Sequence, residues 1–71
     1  MSTNPPGLAD LILQRVSTRT SRRVRDLVVE VGPGWVTLRG RAASFHIKQL
    51  AQHEVRELLP TARVENAIIV Q

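Results

Sequence analysis

The segment Gly32-Pro33-Gly34-Trp35 constrains this chain more than any other, because an alternating run of apolar residues lies on each side of it. Before it, Leu27, Val29 and Val31 alternate with Asp26, Val28 and Glu30, and after it Val36 and Leu38 alternate with Trp35, Thr37 and Arg39. A period of two in β-branched and other apolar residues marks a half-buried strand. Proline presets φ at the second turn position and glycine accepts a positive φ at the third, so the two strands are expected to form a hairpin. Pairing Val31 with Val36 brings the two inner sets, Leu27/Val29/Val31 and Val36/Leu38, onto one face. The same register sets Asp26 opposite Arg41. Gly40 closes the second strand.

The period changes on both sides of the hairpin. Ala9, Ile12, Leu13 and Val16 recur at helical spacing, predicting a first helix over 8 to about 19 with Asp10 at its positive end and Arg15 and Arg19 toward its negative end. Ser17 to Arg23 has no apolar anchor and is rich in hydroxyl side chains that compete for backbone hydrogen bonds, so a loop is expected over 20 to 24. Ser44 can cap a second helix, whose stripe is Ile47, Leu50, Ala51, Val55 and Leu58 and whose end is set by Pro60, at about Leu59. Arg63 to Val70 reads as a third strand, with Val64, Ile68 and Val70 on one face and Ala67 and Ile69 on the other. The order α-β-β-α-β predicts an α+β fold with two helices packed on one face of a three-stranded mixed sheet. Residues 1–7 lack periodicity and hold two prolines, predicting a disordered arm before a single domain over 8–71.

A chain of 71 residues buries only about 60% of its unfolded surface, so the core is small. With no cysteine, neither disulfides nor thiolate metal ligands supplement it. No apolar run approaches the roughly 20 residues of a membrane-spanning helix. Residues 1–7 carry no basic and apolar leader pattern, which makes the cytoplasm the default expectation.

The chain has no cysteine or tyrosine, and its six carboxylates include no close pair in an obviously concave region, so no acid–base constellation is visible and no catalytic residue is expected. His46 and His53, seven positions apart on the second helix, would stand about 10 Å apart along its axis, too far to share a metal. Gly32 and Gly34 lack the helix-opening context of a phosphate loop and are read, with Pro33 and Gly40, as structural turn residues. No cofactor or metal is expected.

Nine arginines and one lysine stand against six acidic residues, a net charge of +4 that favours anionic partners. The sharpest concentration is Arg15, Arg19, Arg22, Arg23 and Arg25. The first three recur at about one helical turn beside Leu8 and Leu11, an arrangement suited to an anionic membrane surface. A solvated face that aids solubility is the plainer reading of the same charges. Nucleic acid is a third, weakened by the presence of only two aromatics, Trp35 and Phe45. On the sheet face away from the helices, Val28, Trp35 and Ile69 are expected to form a protein contact, for a homodimer or a larger assembly, unless the tryptophan folds back over the turn.

Val36-Thr37-Leu38-x-Gly40 and Val64-x-Asn66-x-Ile68-x-Val70, with Asp10, Ile12 and Val16 in the first helix and Lys48 and Ala51 in the second, resemble the BON domain family over about residues 9 to 70. Two features depart from that pattern: Thr61-Ala62-Arg63-Val64 stands where a Gly-Val is usual, and no leucine lies between Val16 and Leu27. The resemblance implies a non-enzymatic interaction module, one that binds phospholipid or supports protein assembly and is often found in the bacterial envelope.

Overall fold

The computed structural model describes residues 7–71 and has the order α1 (Leu8–Arg19), β1 (Val24–Gly32), β2 (Trp35–Ala42), α2 (Phe45–Leu58), β3 (Arg63–Val70). Two helices contact a three-stranded mixed sheet in the strand order β1-β2-β3, antiparallel between β1 and β2 and parallel between β2 and β3. This is the α+β architecture expected. Apart from Gly7, the arm expected over residues 1–7 lies outside the described residues.

Each element forms for a local reason. Ser44 accepts a hydrogen bond from the Ile47 N–H at 3.3 Å, satisfying one of the unpaired donors that open α2. The helix ends at Leu58, with Leu59 as its C-cap immediately before Pro60. Between β1 and β2, Gly34 takes a φ of 77°, and Val31 pairs with Val36. One residue further along, the Trp35 indole lies against the Cα of Gly32, so that a β-carbon there would overlap the ring. The tryptophan thus folds back over the turn, on Gly32.

Ile12 and Val16 of α1, Ile47, Ala51 and Val55 of α2, and Val24, Val36, Leu38, Ala42 and Ile68 of the sheet form one core. Leu27, Val29, Val31, Leu50 and Leu58 pack against it half-buried. Val70 shares the face of Val64 and Ile68, but at the strand's end it is exposed.

Two expectations need correction in β1. The residues 20–24 were expected to be a loop, yet β1 begins at Val24, whose side chain is buried. Nor does Asp26 stand opposite Arg41: Arg25 does, and the next pair is Val28 with Arg39. Asp26 and Leu27 together oppose Gly40, forming a β-bulge in which Asp26 has a φ of 53°. An extra residue inverts the side-chain alternation. It sends Val24 to the helix side and Arg25 to the open side, the reverse of what uninterrupted alternation from Leu27 would dictate. Gly40 fits this bulge because a β-carbon there would lie 2.8 Å from the Arg25 carbonyl oxygen.

The outer edge of β3 is partly closed. The N–H groups of Arg63 and Gln71 donate to Gly34 and Ala42 on the β2 side, so those of the alternate residues point outward. That of Ile68 donates to Asn66 Oδ1 at 3.2 Å, while Asn66 Nδ2 donates to the Lys48 carbonyl of α2 at 2.8 Å. One side chain both satisfies the edge and ties it to the helix.

Candidate anionic-surface interface

The five arginines singled out in the sequence divide into two groups. Arg15 and Arg19, one turn apart on α1, both reach Oε1 of Glu54 on α2, at 3.2 and 3.4 Å. Glu54 is 3% exposed, while the two guanidinium side chains are about half exposed. A buried carboxylate is costly without compensation, and the two cations supply it. These arginines bridge the helices. Sequence reasoning missed Glu54, although a signal was present: it lies four positions after Leu50 and three after Ala51, on the edge of the apolar stripe.

Arg22, Arg23 and Arg25 have no acidic partner within 4 Å among the described residues, and all three are exposed. The end of α1 presents the first two. The Arg22 N–H donates to the Ser17 carbonyl at 2.7 Å and the Ser21 N–H to the Thr18 carbonyl at 3.1 Å, the pairing of a Schellman C-cap. Ser21 and Arg22 have φ of 54° and 58°, the left-handed conformation in which such a cap usually places glycine. Thr20 is buried and donates its hydroxyl to the Val16 carbonyl. The bulge then directs Arg25 to the open face.

Strand order carries these residues to one pole of the molecule. The row Val24–Ala42–Val70 marks the start of β1 and the ends of β2 and β3, and the loops that end α1 and begin α2 join there. Beside it lies the row Arg25–Arg41–Ile69 on the open face. Arg41 adds a fourth cation, paired with Asp26 at 3.0 Å on the surface. Exposed apolar side chains share this pole: Phe45 at 59%, Ile69 at 60% and Val70 at 41%. Arg23, Arg25, Arg41, Ala42, Ala43 and Gln71 line an open cleft of about 280 Å³. A larger groove of about 570 Å³ runs between α1 and β1, with Leu13, Val24 and Leu27 among its walls and Arg22 at its side.

The candidate protein-contact residues share the open face without meeting. Trp35 pairs with Gly32 and Arg63 at the turn end, Val28 lies on β1 in the row of Arg39 and Ala67, and Ile69 lies at the opposite end beside Arg41. Arg39, bound to Glu30 at 3.1 Å, and Arg41 run between Val28 and Ile69, so the apolar residues are separated by charge. His53 pairs with Glu57 at 2.9 Å on the surface of α2, and no grouping of three metal-ligating side chains occurs among the described residues. Among the described residues, no helix is long and apolar enough to cross a membrane.

Comparison with protein-family models, with curated proteins and with solved structures found no match.

Proposed function

We propose that this domain is a non-enzymatic binding module that docks its basic pole on an anionic phospholipid surface. One observation carries the reading: Arg22, Arg23 and Arg25, free of acidic partners among the described residues, share a pole with the exposed Phe45, Ile69 and Val70. Cations that hold a protein at headgroup level, with apolar side chains beside them to enter the acyl boundary, are what a peripheral contact requires. The resemblance to the BON family points to the same class of function. Each basic residue near such a surface contributes about 1 kcal/mol, so the three free arginines supply about 3 kcal/mol before any apolar insertion. Arg15 and Arg19 contribute less, being engaged with Glu54.

Nucleic acid is served less well by the same pole. Phe45 lies there, but Trp35 stands at the turn end, roughly 20 Å away along β2 at strand spacing, so the two aromatics cannot form one stacking platform.

Co-sedimentation with vesicles of phosphatidylcholine alone, and with phosphatidylglycerol added, tests the proposal. Binding is expected only to the anionic vesicles and should weaken with salt. Reversing Arg22 and Arg23 to glutamate should lower it by at least tenfold, while reversing Arg56 and Arg63, which lie away from the pole, should change it far less. Equal losses in the two double variants, or tighter binding to an oligonucleotide than to vesicles at matched salt, would refute the assignment.

A further inference from the structure

We infer that the cleft between the ends of the three strands is a recognition site for a terminal phosphate, the phosphomonoester group of a lipid or of a small soluble ester. The inference rests on reading this pole as an anionic contact and specifies which anion it selects. Three arginines from different elements line the cleft: Arg23 from the loop after α1, Arg25 from β1 and Arg41 from β2. Arg25 and Arg41 are cross-strand neighbours held side by side by the bulge. The remaining walls are Ala42, Ala43 and Gln71, with the Gln71 backbone anchored by its N–H to the Ala42 carbonyl at 2.9 Å. Small alanine side chains leave the space open rather than filling it.

The geometry favours a monoester over a diester. A phosphomonoester carries about −1.5 to −2 charge near neutral pH and offers three terminal oxygens. A diester carries a single charge and offers two. Guanidinium forks bind such oxygens two at a time, so three arginines lining one cleft suit three oxygens, whereas a merely charged surface would rank anions by net charge alone. The volume of about 280 Å³ accommodates a phosphate together with the first atoms of its ester arm. Among the described residues, Asp26 is the acidic side chain paired to a wall of the site, bound to Arg41 at 3.0 Å with its side chain 73% exposed. It holds Arg41, and a phosphate must take over that guanidinium.

The test has two arms on the full chain. In the first, binding is compared between vesicles containing phosphatidic acid and vesicles containing phosphatidylglycerol, adjusted to equal zeta potential. In the second, glycerol 3-phosphate and its diester analogue glycerophosphocholine are titrated while the arginine Nε–Hε signals are followed by NMR. Phosphatidic acid should bind at least tenfold more tightly, and glycerol 3-phosphate alone should shift Arg23, Arg25 and Arg41. Replacing Arg25 and Arg41 by lysine keeps the charge but removes the forks, and should bring the ratio of phosphatidic acid to phosphatidylglycerol affinity to within about twofold and abolish the selective shift of Arg23 by glycerol 3-phosphate. Asp26→Asn should tighten the monoester by up to about fivefold, the strength of an exposed ion pair. Equal affinity for the two vesicle types, with no selective arginine shift, would overturn the inference and leave the pole as a general anionic surface. Selective shifts without vesicle binding would uphold the cleft for a soluble ester and refute the membrane reading. Absence of both would refute both.

Discussion

Removing the two arginines that flank Glu54 should destabilise this protein far more than removing Glu54 itself. The carboxylate is 3% exposed, and Arg15 and Arg19 both approach its Oε1, with side chains that are 47% and 57% exposed. Either arginine alone still partly compensates the buried charge, so Arg15→Ala or Arg19→Ala should each cost about 1 kcal/mol. The double variant strands a carboxylate with neither cation, and the cost should rise to about 3 kcal/mol, the lower end of the range for a broken buried pair because the guanidinium heads are half in water. Glu54→Met reverses the situation: the buried charge disappears, the side-chain volume is kept, and the arginines return to solvent, so stability should stay within about 1 kcal/mol of the parent. In a domain of this size, with total stability of about 4–10 kcal/mol, the double variant should lose about 12 °C or more in Tm. Urea denaturation and thermal circular dichroism on the four proteins, together with the triple variant, measure each term. The triple variant should recover most of the loss. A Glu54→Met protein as unstable as the double-arginine variant would refute the reasoning, because the ion pairs would then be net stabilising rather than a compensation for burial.

Three further outcomes follow from local geometry. Ser21→Gly should raise stability by about 1 kcal/mol, since a serine holds the left-handed cap position at φ 54°, and it should leave vesicle binding unchanged; chemical denaturation and co-sedimentation check the two halves. Gly40→Ala should cost about 2 kcal/mol or more, because φ is 153° and the added carbon would meet the Arg25 carbonyl at 2.8 Å; loss of the Arg25–Arg41 pairing should appear as altered amide shifts on both strands. Asn66→Leu should cost about 1–3 kcal/mol by leaving the Ile68 N–H without its acceptor, and the reopened β3 edge should make the variant associate at concentrations where the parent is monodisperse by light scattering.

Much of the fold was legible along the chain. Alternation around Gly32-Pro33-Gly34-Trp35, the Ser44 cap and the Pro60 stop are local signals, and each acts within a few residues through backbone geometry that no distant partner needs to supply. The element order, the Val31–Val36 pairing and the limits of α2 therefore follow from sequence alone, as does the concentration of arginine before residue 42. Tertiary structure decided the rest. The bulge at Asp26 and Leu27 depends on the meeting of two strands, and it alone moves Val24 into the core and Arg25 beside Arg41. Burial of Glu54 depends on how α1 lies across α2, and it draws Arg15 and Arg19 out of the basic patch in which linear density had placed them. Parallel pairing of β3 with β2 brings Ile69 and Val70 to the pole where Arg22, Arg23 and Phe45 emerge. Composition and spacing determine which charges and apolar groups the chain carries, but whether a given arginine faces a buried carboxylate or open water is set by register and helix packing between residues far apart in the chain.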